Sequence, residues 1–295
     1  GDYKSDIILS INAGIDMVMV PGAVIWGGEH YKTFISLFKE AYDEGLISEE
    51  RINDAVRRIL RIKFRSGLMH NPMADRSLLE KAGSQEHRDI AREAVQKSLV
   101  LLKNDDMLPL AKDKNYLVCG SGADDIGKQC GGWTIEWQGK LGDITPGTTI
   151  YEGVSEHASA TLSADGQTEG THDAAIVVIG EDPYTEMEGD TDYLYLSDED
   201  KQTIANVQAL GIPYTVVLIT GRPLIVTQEI EESNAFLVAW LPGTEGNGVS
   251  DVLFGDVAPS GKLSFSWPKS MDNVPVNFDD KEYNPLFKLG YGLTF

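Results

Sequence analysis

An acidic segment near the middle of the chain contains the residue types that proton donation to a leaving group requires. Six carboxylates lie between Glu181 and Asp192. Like charges that crowd together raise the pKa of at least one member, and a carboxylic acid that donates a proton near neutral pH needs such a rise. The alternative is a solvated acidic loop without a chemical role, because most runs of charge lie on the surface.

A second segment, residues 130–139 (CGGWTIEWQG), holds two tryptophans four positions apart, Trp133 and Trp137. An indole ring presents a flat apolar face that covers the C–H face of a pyranose while the sugar hydroxyls reach polar partners. The alternative is that both rings pack the segment onto the rest of the fold, as most tryptophans do. Glycoside hydrolysis needs two carboxyl groups, one that donates a proton and one that attacks or activates water. The two segments together indicate a proton donor beside an aromatic sugar platform.

The elements that must position these segments alternate between strands and helices. Short continuous runs rich in Val and Ile predict strands that are buried on both faces, at Tyr116–Cys119, Ala174–Ile179, Tyr214–Thr220 and Ala235–Trp240. Before them, Ser98–Leu102 is an apolar, strand-like run. Helical patterns separate them, at Ser197–Leu210, Pro223–Ser233 and Gly246–Phe254. This alternation predicts a parallel α/β sandwich with right-handed crossovers, and the alternating run Lys262–Trp267 predicts one further, half-exposed strand. The acidic segment follows Ala174–Ile179 directly, at the sheet edge where ligands of open α/β folds bind.

The first 68 residues do not make a complete unit by themselves. The patterns predict a helix that ends near Asn12, a short strand at Asp16–Val20 closed by Pro21 and Gly22, and helices at 31–44 and Ser48–Phe64. One strand cannot make a sheet, so residues 1–68 indicate the end of a larger α/β unit. Residues 69–84 lack periodicity and are predicted to be a linker, and residues 85–295 are predicted to be the α/β domain.

Composition argues against several classes of function. Asp and Glu total 46 against 25 Lys and Arg, for a formal net charge of −21. Such a chain repels phosphate, so neither nucleic acid nor an anionic membrane is expected as a partner, and no apolar run reaches the length of a membrane span. The histidines lack metal-ligand spacing and no dinucleotide-binding or serine-hydrolase motif is complete, so no metal or cofactor is predicted. The two cysteines, Cys119 and Cys130, are expected to be unpaired thiols that pack.

Seven stretches of the sequence, taken in order, resemble glycoside hydrolase family 3. They are 13–21 (AGIDMVMVP), 85–104 (QEHRDIAREAVQKSLVLLKN), 131–139 (GGWTIEWQG), 181–190 (EDPYTEMEGD), 241–246 (LPGTEG), 259–263 (PSGKL) and 289–293 (LGYGL). The third and fourth stretches are similar to the plant β-glucan exohydrolase branch of the family and its bacterial relatives. The similarity spans essentially the whole chain, which makes it highly specific.

The resemblance implies a (β/α)8 barrel followed by a mostly parallel six-stranded αβα sandwich, with the active site between the two domains. Enzymes of this kind release glucose from the non-reducing ends of β-glucans and oligosaccharides with retention of configuration. The match aligns Glu186 with the acid/base residue of the family and Trp137 with one wall of the slot that holds the second sugar. Trp133 matches a neighbouring slot residue, and Glu188 ranks second as a proton donor.

One part of the family pattern is missing from the chain. The family's nucleophile is an Asp in a Ser-Asp-Trp-like motif upstream of Ala13, and no Ser-Asp pair here is followed by an aromatic residue. We therefore expect a C-terminal half that is inactive alone and needs the barrel segment as its partner, with a β-linked glucooligosaccharide or glucan as ligand. The resemblance further implies a secreted or periplasmic protein. The alternative is a non-catalytic α/β sandwich that binds carbohydrate or a partner chain.

Overall fold

The computed structural model describes residues 2–20 and 30–295, so the predicted strand end at Pro21 and Gly22 lies outside the described residues. The chain forms two compact units, residues 1–79 and residues 80–295. Each unit has its own cluster of buried apolar side chains. Among the helices that the structure describes, none combines the length and the apolar composition that crossing a membrane requires.

The unit 1–79 is helical in its described part. Its helices are α1 (Tyr3–Asn12), α2 (His30–Asp43) and α3 (Glu49–Arg65), and the unit ends within a 3₁₀ helix, Arg76–Lys81. Ser48 caps α3 as predicted, because its Oγ accepts a hydrogen bond of 3.1 Å from the Arg51 N–H, a donor that the helix itself leaves unpaired. The buried apolar cluster of the described residues consists of Ile7, Ile11, Ala41 and Ile47.

The predicted strand at Asp16–Val20 is wrong. Residues 15–20 have no regular secondary structure, and the side chain of Met19 is 95 % exposed. A strand needs a neighbour that pairs with its N–H and C=O groups, and the described part of residues 1–79 contains no other strand. An apolar run does not form a strand without that neighbour.

The unit 80–295 is built on one six-stranded sheet. Its strands are β1 (Val100–Asn104), β2 (Asn115–Cys119), β3 (Ser159–Ser163), β4 (Ala174–Gly180), β5 (Tyr214–Ile219) and β6 (Ala235–Trp240). Their order across the sheet is β1-β6-β5-β4-β2-β3, and within this fully described unit only β1 runs antiparallel to its neighbour. The prediction of a mostly parallel six-stranded sandwich is confirmed.

Helices cover both faces of this sheet. They are α4 (Gln85–Ser98), α5 (Ile126–Cys130), α6 (Ile150–His157), α7 (Asp198–Ala209), α8 (Thr227–Glu232) and α9 (Gly246–Leu253), with 3₁₀ helices at Glu186–Gly189 and Met271–Asn273. Alternate side chains of β4 enter two cores. Ile176 and Val178 pack with side chains of α4, α6 and α9, whereas Val177 and Ile179 pack with those of α7 and α8. Burial on both faces is what the continuous apolar runs predict.

Some parts of this unit differ from the sequence predictions. Lys262–Trp267 forms no strand; its backbone makes one isolated bridge, between Trp267 and Phe287. The alternation there arises because Leu263 and Trp267 are buried anchors, and the Trp267 indole N–H donates a hydrogen bond of 2.8 Å to the Leu224 carbonyl. The patterns do not predict β3, α5 or α6, and the helical pattern at Pro223–Ser233 holds only for α8.

The topology brings the two segments of interest to one edge of the sheet. The chain passes from β2 to the edge strand β3 and then back across β2 to β4. Strand order therefore reverses between β2 and β4, and the loops that leave these two strands border a crevice at the carboxyl edge of the sheet. The loop after β2 carries Trp133 and Trp137, and the loop after β4 carries Glu186.

Candidate active site

Two loops that leave the carboxyl edge of the sheet contact each other directly. We call residues 131–139 the tryptophan loop and residues 181–190 the acidic loop. The Thr185 N–H donates a hydrogen bond of 2.8 Å to Oε1 of Gln138, and its hydroxyl donates one of 2.9 Å to the carbonyl of Trp137. A Cβ atom at Gly132 would lie 2.2 Å from Cγ2 of Thr185, so only glycine permits this approach. The structure thus joins the two predicted segments next to Glu186.

The two tryptophans of this loop differ in exposure. The Trp133 side chain is 67 % exposed, so the core-packing alternative does not apply to it. The Trp137 side chain is half-buried, and the two ring centroids lie 6.3 Å apart with 46° between the planes. The indole N–H of Trp137 is buried and has no hydrogen-bond partner among residues 2–20 and 30–295. The pair forms an open angled surface with one ring facing solvent.

Glu186 lies at the start of the 3₁₀ helix Glu186–Gly189, between the anchored Thr185 and the rest of the acidic loop. Its backbone is left-handed, with φ of 50°, a conformation that costs a side-chain-bearing residue about 1 kcal/mol. The side chain is exposed, and no residue in the described part of the chain forms a hydrogen bond or ion pair with it. Strained backbone of this kind concentrates at functional sites. The loop therefore fixes the main chain of Glu186 and leaves its carboxylate available.

The six carboxylates of the segment fall into two groups. Glu181 and Asp182, at the base of the acidic loop, are paired with Arg222 and Lys128 at 2.7 Å. The other four are exposed and make no hydrogen bond or ion pair through their carboxylates with any described residue; they are Glu186, Glu188, Asp190 and Asp192. In the alternative of a solvated acidic loop without a role, Glu181 and Asp182 would not be paired with basic side chains in this way. Glu188, the second-ranked donor, lies on the same 3₁₀ helix as Glu186.

The base of the acidic loop is a compact polar cluster. The Glu181 carboxylate accepts hydrogen bonds from the Thr220 hydroxyl at 2.7 Å and the Tyr184 hydroxyl at 3.1 Å, in addition to the ion pair with Arg222. Burial, and next the neighbouring Glu181 charge, raise the pKa of Tyr184 to about 12, so the hydroxyl stays a donor at neutral pH. A cavity of about 350 Å³ borders this cluster, between Ser121 after β2 and Gly180 at the end of β4. The crevice at the strand-order reversal is therefore open.

Sequence patterns do not identify four residues of this arrangement, namely Lys128, Gln138, Thr185 and Arg222. A usable signal exists for Arg222, because it follows β5 by three residues and so lies at the carboxyl edge that β4 shares. Thr185 and Gln138 have no such signal, since their contact depends on how two loops fold against each other.

A separate cluster of potential metal ligands is already neutralised by basic side chains. Ligand atoms of His157, Asp251 and Asp256 lie within 4.8 Å of one another. However, the Arg92 guanidinium binds both oxygens of Asp251 at 2.5 and 2.6 Å, and the Lys112 ammonium binds Asp256 at 2.5 Å. Cationic partners in these positions oppose a metal ion electrostatically. The cluster is best described as a network of structural ion pairs.

The fold and the site define an α/β sandwich that presents a carboxylate and aromatic rings at the carboxyl edge of its sheet. Residues 99–295 match the family model described as the glycosyl hydrolase family 3 C-terminal domain, and the chain belongs to this family. The prediction of the family is confirmed.

Relatives of the chain are glycoside hydrolases. A lysosomal beta glucosidase of Dictyostelium discoideum is 30 % identical over 100 % of this chain and 39 % of its own length. A periplasmic beta-glucosidase of Salmonella typhimurium is 27 % identical over 100 % of this chain and 45 % of its own length. The crystal structure of an exo-1,3/1,4-beta-glucanase from a Pseudoalteromonas species superposes with a TM-score of 0.88 and 43 % identity, over 97 % of this chain and 38 % of that one. The chain thus spans less than half the length of each of these proteins.

Proposed function

We propose that this chain supplies the acid/base domain of a retaining, exo-acting β-glucosidase or β-glucan glucohydrolase that releases glucose from non-reducing ends. Glu186 is the acid/base residue, and the nucleophilic Asp comes from a barrel segment outside this chain. The observation that carries the proposal is the unpaired, exposed carboxylate of Glu186 on a loop that is hydrogen-bonded to the tryptophan loop. Trp137 and Trp133, with Glu188 nearby, contact the sugar that leaves.

In the first step, the Asp carboxylate attacks the anomeric carbon while Glu186 gives its proton to the glycosidic oxygen, so the bond to the leaving sugar breaks. In the second step, the Glu186 carboxylate takes a proton from water, and that water displaces the Asp and releases glucose with retained configuration. Retaining enzymes hold the two carboxyl groups about 5–5.5 Å apart. An exposed carboxylate on a fixed main chain can meet a nucleophile supplied by another domain at this separation.

The proposed partners follow from what the chain lacks. A β-linked glucooligosaccharide or glucan is the substrate, and residues 1–68 complete a barrel whose other elements lie outside this chain, with 69–84 as a linker to the sandwich of 85–295. The exposed apolar side chains of Leu9, Met17 and Phe64 support this, because burial of such side chains against further barrel elements would be favourable. A secreted or periplasmic location is supported by the relative named as periplasmic.

The direct test is Glu186→Gln in a protein that joins this chain to its preceding barrel segment. We expect kcat/KM for a β-linked glucose disaccharide to fall about 10²- to 10⁴-fold, the range that general acid catalysis contributes. Added azide should restore turnover of an activated aryl β-glucoside, because azide attacks the glycosyl-enzyme without needing a base. Asp192→Asn, which neutralises another exposed carboxylate of the segment, is the matched control and should retain most of the activity. Full activity of Glu186→Gln with no response to azide would show that the assignment is wrong.

A second candidate function is binding without hydrolysis, and the largely exposed Trp133 ring favours it because a solvent-facing indole binds sugar without any nucleophile. Fluorescence titration of the chain alone with a β-linked glucooligosaccharide tests this, with Trp133→Ala as the variant that abolishes binding. Size-exclusion chromatography with mass measurement separates the two functions further. A stable monomer of this chain would count against its need for a barrel partner.

A further inference from the structure

We infer that Arg222 is a positioning residue for the acid/base carboxylate, because its guanidinium holds the beginning, middle and end of the acidic loop at one point. The inference rests on the proposed role of Glu186. Arg222 itself lies just after β5, and its N–H donates a hydrogen bond of 3.2 Å to the Thr220 hydroxyl oxygen. It thus connects the rigid sheet to the loop that carries Glu186.

The first contact is with the beginning of the loop. Nε and Nη2 of Arg222 lie 2.8 and 2.7 Å from Oε1 of Glu181. The Arg222 side chain is 26 % exposed and that of Glu181 is 15 % exposed, so water screens this pair less than it screens a surface pair. Charge-assisted hydrogen bonds of this length are about twice as strong as neutral ones.

The second and third contacts are with the middle and end of the loop. The guanidinium carbon lies 4.4 Å from the centroid of the Tyr184 ring, and Nη1 donates a hydrogen bond of 2.6 Å to the Gly189 carbonyl. Gly189 is itself pressed against that ring, since a Cβ there would lie 2.3 Å from Cδ2 of Tyr184. The loop therefore folds back on itself around Arg222, and Glu186 lies in the span between the two held residues.

The opposite side of the loop is held by the tryptophan loop. Thr185 follows Tyr184 in the chain. Its N–H donates a hydrogen bond to Oε1 of Gln138, and its hydroxyl donates one to the carbonyl of Trp137. The main chain on the N-terminal side of Glu186 is thus fixed from two directions. The strained φ of 50° at Glu186 persists only when its surroundings hold it, and the Arg222 contacts are part of that support.

Lysine cannot replace arginine in this arrangement. The planar guanidinium contacts one carboxylate oxygen through two nitrogens, donates to a carbonyl and stacks on an aromatic ring, whereas an ammonium keeps the charge but lacks the plane and the fork of donors. Arg222→Lys therefore tests geometry at constant charge. Its effect should reach the reaction through Glu186, because none of the three contacts involves a reacting group.

The experiment compares a poor leaving group with a good one in the protein that joins this chain to its barrel segment. Proton donation matters for kcat/KM of a β-linked glucose disaccharide and matters little for a dinitrophenyl β-glucoside, whose leaving group departs without a proton. For Arg222→Lys we expect a loss of about 10- to 100-fold on the disaccharide, as for a catalytic group that is displaced by about 1 Å, and a loss below about threefold on the aryl glycoside. Arg92→Lys alters a different arginine–carboxylate pair, with Asp251, and should leave the ratio of the two values unchanged.

Glu186→Gln in the same assay separates this inference from the proposed function. If Glu186→Gln shows the leaving-group dependence and Arg222→Lys loses activity equally on both substrates, the positioning role is wrong and the acid/base assignment stands. If Glu186→Gln shows no such dependence, the acid/base assignment fails and the inference fails with it. If the melting temperature shows that Arg222→Lys does not fold, Glu181→Gln replaces it, because this variant removes the first contact. Glu181→Gln must lose more activity on the disaccharide than on the aryl glycoside, by a smaller factor than that expected for Arg222→Lys. Equal losses on both substrates would overturn the inference.

Discussion

The two compact units of the chain differ in how completely they bury their own apolar residues. In unit 80–295, every residue of β4 and β5 is buried, and helices supply apolar partners on both faces of the sheet. In the described part of unit 1–79, the buried apolar cluster has four members, while long apolar side chains such as Leu9, Met17 and Phe64 are exposed. Unit 80–295 buries the apolar pattern of its own sequence, whereas the described part of unit 1–79 leaves much of its apolar pattern exposed.

The largest effect that sharpens this comparison is expected from a pair of Phe→Ala substitutions, one in each unit. Phe236 in β6 is 0 % exposed and Phe64 in α3 is 60 % exposed. Phe236→Ala should lower the free energy of unfolding of its unit by about 3–5 kcal/mol, through lost burial and a cavity, and Phe64→Ala should change stability by no more than about 0.5 kcal/mol. Urea unfolding followed by tryptophan fluorescence and by far-UV circular dichroism measures both. An equal loss in the two variants would show that Phe64 belongs to a core of its own.

Thiol labelling should show that unit 1–79, which buries few apolar side chains, unfolds before unit 80–295. Cys119 and Cys130 are both buried and unpaired in unit 80–295, as predicted. Burial, with a smaller contribution from Asp165, raises the pKa of Cys119 from 9.0 to about 12, so the reactive thiolate at neutral pH is about 10³-fold rarer than in an unfolded chain. As urea increases, we expect loss of helix signal from unit 1–79 before Cys119 reacts with a thiol reagent. A Cys130→Ser variant makes the labelling specific, and reaction of Cys119 before any helix is lost would contradict the proposed order.

The smallest expected effect concerns acid stability. The hydrogen bond from Lys112, and then that from His157, lower the pKa of Asp256 in unit 80–295, and the hydrogen bond from Arg58 lowers the pKa of Asp54 in unit 1–79. A carboxyl whose pKa is lower in the folded state stabilises the fold above its unfolded pKa of 3.8, and that contribution is lost as the pH falls through the folded value. Asp256→Asn should therefore lower stability at pH 6 by less than about 1 kcal/mol, since the group is solvent-screened, and by less at pH 3. Melting temperatures at the two pH values check this, and an equal shift at both would show that the ion pair is not the cause.

The parts of the fold that the sequence predicts are those whose pattern is set locally. Strands β2, β4, β5 and β6 are continuous apolar runs because both of their faces are covered, so composition alone identifies them. Strand β3 is an edge strand of Ser, Ala, Thr and Leu with mostly exposed side chains, and only its pairing with β2 makes it a strand. The wrong strand at Lys262–Trp267 has the reverse cause, since two buried anchors at suitable spacing imitate alternation.

The candidate site likewise contains residues that the local sequence identifies and contacts that it does not. Glu186 and Trp137 are identifiable in the sequence because each lies in a segment with a distinctive composition and a family resemblance. The contacts that hold the loops of these residues cannot be identified in the sequence. The Arg222–Glu181 pair, for example, joins residues 41 positions apart and exists only through the register of β4 with β5. Neither residue type nor local spacing carries that information.

The left-handed main chain at Glu186 affects which residue types are favourable at this position in relatives of the protein. Glycine or asparagine suits that conformation better than glutamate does, so glutamate occupies this position against the preference of the backbone. If Glu186 has the proposed acid/base role, a sandwich of this type that no longer takes part in the reaction would fold more favourably with one of these two residues at this position. On that proposal, a homologous loop with glycine or asparagine in place of Glu186 would mark a lineage whose sandwich has kept its fold without the acid/base function.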